Sequence, residues 1–143
     1  AVLDELGALV AELAERDVAP AADVTFSSAP QDGPPHRDAV WSPDGADAAP
    51  WVRLEWEVPQ LVDGVVLAED VAHGQQLEDV VVRVEGPGGR REVVARARSV
   101  GHRRIMDVAP VEVTAVTVEL VAGRGPFRLA ELAVLRPSSR GTR

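Results

Sequence analysis

The chain has 143 residues, enough for one domain with a real hydrophobic core. Its 23 acidic and 15 basic residues give a formal charge of −8, which repels phosphate backbones and argues against a nucleic-acid partner. Cysteine is absent, so disulfides, thiol nucleophiles and thiolate metal sites are excluded. No apolar run approaches the roughly 20 residues that span a bilayer, so no membrane partner is expected. The N-terminus lacks the basic start and apolar block of a secretory leader.

Ala1 to Arg16 reads as the one helix. Val2, Leu6, Leu9, Val10 and Leu13 recur at helical spacing and form an apolar stripe, while Asp4, Glu5, Glu12 and Glu15 lie largely off it. Pro20 prevents continuation. The stripe has two readings: packing on the chain's own domain, or a face whose natural partner lies in a missing module and which then pairs with a second copy. The first residues already resemble a helix interior, so the chain is expected to be a piece of a longer protein.

Val24 to Ser28 is a short strand. Residues 29–50 carry Pro30, Pro34, Pro35, Pro43 and Pro50 with Gly33 and Gly45, which rules out a regular element. Trp41 in its middle argues for an ordered loop folded onto the core. Residues 51–58 alternate, with Val52, Leu54, Trp56 and Val58 facing one way and Arg53, Glu55 and Glu57 the other.

Val65, Val66 and Leu67 form a buried strand ending at Glu69 and Asp70. A polar loop, His73-Gly74-Gln75-Gln76, leads to a strand with Val80, Val82 and Val84 on one face. Gly86-Pro87-Gly88-Gly89 turns a hairpin into residues 91–98, where Val93, Ala95 and Ala97 share a face and Val94 opposes them. Strands over 105–108, 111–121 and 127–135 follow, with Val116, Val118, Leu120, Leu132 and Val134 as core positions. About eight short antiparallel strands after one helix describe a mainly β, jelly-roll sandwich. The expected organisation is a helix over 1–18, a sandwich over 19–137 and a frayed tail over 138–143.

The chemistry-bearing residues sit mostly in loops. There is no Gly-x-Ser-x-Gly elbow, phosphate loop or His-Glu-x-x-His helix, and most carboxylates occupy outward strand positions or turns. A pair placed for glycoside hydrolysis is therefore not expected. The candidate plates on which a sugar ring stacks are Trp41 and Trp51; Trp41, flanked by Arg37, Asp38 and Asp44, is alternatively a core plug. Asp32 and Asp38 in the same loop offer hard oxygens of the kind Ca²⁺ takes, or simply cap nearby backbone amides. His36, His73 and His102 lie in separate loops. Glu69, Gln75, His102 and Arg103 lie at strand ends that can meet at one end of a sandwich, either as a structural Glu–Arg staple or as ligand contacts.

Several segments together carry a resemblance. LDELGALVAEL is similar to the last helix of the catalytic module in bacterial α-L-fucosidases. VTFSSAP, Asp32-Gly33 and Trp41 resemble the start of a discoidin-type, galactose-binding-like domain. VVLAEDVAHGQQLEDVVVRV, SVGHRRIMDV and LAELAVLRP resemble the Glu…Gly-Gln, Gly-x-x-Arg-Ile and closing-strand segments of the C-terminal sandwich of glycoside hydrolase family 29. Gln76 stands where that family usually has Arg, and Leu135 where an aromatic is common.

The resemblance implies a parent that releases L-fucose with retention, using carboxylates of an upstream (β/α) barrel that this chain does not contain. It implies an accessory domain that supports that barrel and contacts a fucosylated or galactose-containing glycan through Trp41, His36, Glu69, Gln75, His102 and Arg103, with structural Ca²⁺ at Asp32 and Asp38. The alternatives are an independent carbohydrate-binding module of CBM32 type and a small stand-alone enzyme.

Overall fold

The computed structural model describes residues 15–27, 49–69, 77–98, 104–123 and 129–137. Six strands form one hydrogen-bonded system: β1 (Asp23–Phe26), β2 (Trp51–Glu69), β3 (Leu77–Glu85), β4 (Arg91–Ala97), β5 (Arg104–Gly123) and β6 (Leu129–Leu135). Every pairing is antiparallel. The expected β-sandwich is present. Of the helix expected over 1–18, residues 1–14 lie outside the described residues, as does the tail expected over 138–143; Asp17 and Val18 are not helical, since Asp17 is bridged to Leu135.

The two long strands, β2 and β5, build both layers. Residues 52–55 of β2 pair with β1, and residues 51–55 pair with residues 115–119 of β5, whose other side carries β3 and then β4. This is a five-stranded layer. Residues 64–69 of β2 pair with β6, and residues 64–67 also pair with residues 104–107 of β5. This is a three-stranded layer.

Between the layers both strands bend through bulges. Residues 56–59 of β2 stand opposite Thr114 alone, and residues 108–110 of β5 stand opposite Asp63 alone. Pro59 and Pro110 sit in these bulges, where a missing N–H removes no ladder bond. The prolines bend the strands without ending them, so six strands form among the described residues where the sequence suggests eight.

The slip after Glu55 also corrects one face. Val52, Leu54 and Trp56 point into the core, as their parity predicts, but Val58 is 66% exposed. Alternation holds only while the pairing register does. A second bulge, between Val82 and Arg83 of β3, leaves Val94 as the extra residue of β4. Val93 is therefore 49% exposed, whereas Val94 and Ala95 pack on the core, which reverses the faces expected for Val93 and Val94.

The main core joins Val52, Leu54, Val80, Val82, Val84, Val116, Val118 and Leu120 of the first layer to Val65, Leu67, Met106 and Val134 of the second. Each such side chain, fully buried, contributes about 1.5–3 kcal/mol. At the hairpin, Gly88 and Gly89 have φ of 81° and 83°, left-handed geometry that glycine adopts without strain.

The outer face of the five-stranded layer is charged. Arg53 donates to Glu85 across the small Ala115 that separates their strands. Arg91 lies 3.4 Å from the same carboxylate, and Arg83 donates to Glu119 at 2.7 Å. The hydrogen bond from Arg53 holds the Glu85 carboxyl below the usual glutamate range, against the opposing pull of partial burial and with help from the Arg53 and Arg91 charges. The same hydrogen bond raises the Arg53 guanidinium above its ordinary value.

A seam ties the start of the described chain to its end. The Arg136 amide donates to the Arg16 carbonyl at 2.9 Å, and the Val18 amide to the Val134 carbonyl at 2.8 Å. Asp17 Oδ1 accepts from the amides of Ala19 and Val134. The buried indole of Trp56 donates to the Val18 carbonyl at 2.9 Å, and Arg16 pairs with Asp63 at 2.9 Å.

Candidate functional site: the loop end of the sandwich

Strand register brings four inter-strand segments to one end of the sandwich. Segment 28–48 leaves after Ser27 and returns near Trp51, and Phe26 pairs with Val52. Trp51 is opposite Glu119, Glu119 opposite Val81, and Val81 opposite Arg96, so the stems of 28–48 and 99–103 lie at the same end. Segment 70–76 leaves from Glu69, opposite Leu129, and returns at Leu77, opposite Gly123. Those two partners are also the stems of segment 124–128. Arg104, which follows 99–103, is opposite Leu67. The hairpin turn at Pro87–Gly89 is at the other end.

The residues singled out for chemistry fall within or beside these segments. Glu69 closes β2. Asp32, His36, Asp38 and Trp41 belong to 28–48, Gln75 to 70–76, and His102 and Arg103 to 99–103; all seven lie outside the described residues. What the register establishes is that the stems carrying them converge. Among the described residues no three His, Asp or Glu side chains gather as a metal site.

The stems are held firmly. Trp51 N–H donates to Ser27 Oγ, and the Ser27 amide donates to the Trp51 carbonyl, both at 2.9 Å. The Leu120 amide donates to the Pro50 carbonyl at 2.9 Å. These bonds pin both ends of segment 28–48 to the sheet, the arrangement in which a loop is carried on a rigid scaffold.

Sequence reasoning missed Asp79. Bulges on either side of it in the β3–β5 pairing turn it at the stem of 70–76. Its Oδ1 is buried and accepts no hydrogen bond among the described groups, with Arg96 Nε 3.6 Å away. The available signal was a carboxylate directly preceding the apolar run Val80–Val81–Val82, but nothing local reveals a bulge. Trp51, the second aromatic candidate for stacking on a sugar ring, is half-buried on the outer face beside the same stems.

Neither a family model nor a curated protein sequence matches the chain. Solved structures do match it. The chain superposes on SpGH29 with a TM-score of 0.79 at 23% identity, over 94% of its own length and 31% of that chain. On a Ruminococcus gnavus GH29 fucosidase in complex with fucose the TM-score is 0.76 at 13% identity, over 97% and 31%. On CpGH89CBM32-5 from Clostridium perfringens, in complex with GalNAc-β-1,3-galactose, it is 0.67 at 14% identity, over 82% and 98%.

At these identities the likeness defines the fold, a discoidin-like β-sandwich shared with carbohydrate-binding modules. Within that class, SpGH29 and the Ruminococcus gnavus fucosidase match 94% and 97% of the chain, against 82% for the CBM32 module. The chain spans under a third of the fucosidase chains it resembles.

Proposed function

We propose that this chain is the non-catalytic accessory sandwich of an α-L-fucosidase-like glycoside hydrolase, bracing a catalytic (β/α) barrel and presenting its loop end to glycan. The observation that carries the reading is the difference in coverage: 94% of the chain superposes on SpGH29 and 97% on the Ruminococcus gnavus fucosidase, each about three times its length, against 82% on the CBM32 module. The seam supports it. Residues 16–18 are hydrogen-bonded into β6, so a module preceding them is coupled stiffly, not hung on a flexible linker.

The test is direct. The pure chain is expected not to turn over an aryl α-L-fucoside, and turnover abolished by changing one carboxylate defeats the accessory reading. An independent carbohydrate-binding module is the second reading, favoured by the convergence of four loop stems at one end. It predicts saturable calorimetric binding of fucose, galactose or a fucosylated oligosaccharide that Trp41→Ala and His102→Ala abolish. The accessory reading predicts only millimolar or weaker binding. Structural Ca²⁺ at Asp32 and Asp38 predicts a rise in melting temperature on adding Ca²⁺ that Asp32→Asn removes.

A further inference from the structure

A trough runs along the outer face of the five-stranded layer. Val116, Val118 and Leu120 of the middle strand, β5, point into the core, so Ala115, Thr117 and Glu119 point outward. Trp51 and Arg53 of β2 lie beside them on one flank, and Arg83 and Glu85 of β3 on the other. Ala115 and Thr117 are short and their neighbours long. The two flanking strands are about 10 Å apart.

Ion pairs close one half of this trough and leave the other open. The Arg53–Glu85 pair crosses from β2 to β3 above Ala115, which is buried beneath it. Among the described residues no pair crosses above Thr117, which is half-buried. Arg83 turns towards the loop end and donates to Glu119 Oε1 at 2.7 Å. Glu119 is directly opposite Trp51.

Uncommitted hydrogen-bonding groups meet at this open half. The Trp56 indole is committed to the Val18 carbonyl. The Trp51 indole and the Thr117 hydroxyl make no such bond among the described residues, and Glu119 accepts through Oε1 alone, which leaves Oε2. The side chains of Glu119 and Arg83 are 34% and 53% exposed, so a ligand in solution reaches both.

The charge pattern selects the ligand. Each of these arginines already has a carboxylate: Arg83 has Glu119, Arg53 has Glu85, and on the next strand Arg96 has Asp79. An anion finds no spare cation, and among the described residues no three carboxylates gather for a metal. What remains is an aromatic plate with an acceptor and donors fixed beside it, the combination that holds a neutral, hydroxyl-bearing ring. A carboxylate steadied by arginine through one oxygen offers the other to a hydroxyl, in a charge-assisted bond roughly twice as strong as a neutral one.

We infer that this trough is a glycan subsite on the sheet face: a neutral pyranose lays its apolar face on Trp51, above Thr117, and donates a hydroxyl to Glu119 Oε2. The subsite is made of strand residues, beside the converging loop stems and separate from the segments they carry. It rests on the reading of the chain as a glycan-contacting sandwich and deepens that reading by assigning one sugar unit to β2 and β5.

The indole N–H resonances of Trp41, Trp51 and Trp56 report on it separately in proton–nitrogen NMR spectra of the full chain. The probes are methyl β-galactopyranoside and methyl α-L-fucopyranoside, titrated to millimolar excess. With at least one of them the Trp51 resonance, identified by its loss in Trp51→Phe, should move saturably. Glu119→Gln keeps the shape and removes the charge, and should weaken binding about ten-fold. Thr117→Arg fills the trough and should abolish it, whereas Trp41→Phe should leave it unchanged. The amide spectrum of each variant confirms that it is folded; where Thr117→Arg disturbs that spectrum, Thr117→Gln is read in its place.

Four results overturn the subsite. Movement of the Trp41 resonance beside a stationary Trp51 resonance does so and leaves the loop-end reading standing. Saturable movement of Trp51 that survives both Glu119→Gln and the filled trough places the sugar elsewhere. Movement matched by glycerol is a general polyol effect. If no indole resonance moves with either glycoside, the subsite falls together with the glycan contact of the proposed function.

Discussion

The two layers of this sandwich finish their outer faces in opposite ways. On the five-stranded layer, Arg53, Glu85, Arg91, Arg83 and Glu119 form ion pairs across neighbouring strands. On the three-stranded layer, Val66, Ala133 and Leu135 are as buried as the main core. Charged pairs at a surface add little to stability, whereas burial of aliphatic side chains adds much. The smaller layer, with fewer strands, is thus stabilised from both sides, and the larger is stabilised from within.

The sharpest way to break this contrast is Val66→Asp. Placing an unpaired carboxylate at a wholly buried position should cost more than about 3 kcal/mol, read as a fall in the urea midpoint at unchanged slope. Val66→Ala should cost roughly 2 kcal/mol, about the same as Val65→Ala on the inner face. A negligible loss for Val66→Ala beside a large one for Val65→Ala would show the outer face to be solvent-facing.

The seam comes next. Asp17→Ala removes the acceptor for the Ala19 and Val134 amides and should cost about 1–2 kcal/mol. Asp17→Asn retains an acceptor and should recover most of it. Amide exchange at Val134 is the local readout, rising in the Ala variant and returning towards the natural rate in the Asn variant.

The smallest effect belongs to the charged face. Glu85→Gln should cost about 1 kcal/mol or less. The sign with pH follows from the lowered carboxyl of Glu85. Its contribution is present above the unfolded glutamate value of about 4.3 and is lost as pH falls through the lower folded value. The natural chain should therefore lose its advantage over Glu85→Gln between about pH 4 and more acidic conditions, measured by paired urea titrations.

The strands were legible where alternation ran unbroken. Val80, Val82 and Val84, and Val116, Val118 and Leu120, sit in the core as their spacing predicts. Legibility failed at bulges, because a residue inserted in one strand is defined by its partner strand and leaves no local mark. That is why Val58 and Val93 face outward and why Pro59 and Pro110 lie within strands. The seam was illegible for a related reason: Asp17 and Val134 lie 117 positions apart. For the candidate site, residues 28–48 lie outside the described residues, and the strand register supplied the convergence of stems that composition alone does not contain. Asp79 escaped notice because its setting depends on two bulges.

The sense of the seam has a mechanical consequence. Because residue 16 runs antiparallel to residue 136, residues 15 and 137 lie at the same end of the seam. Tension between the two ends would peel their contacts open one after another like a zip, not load them together in shear. The fold thus yields at lower force along that one line than strands loaded in shear would.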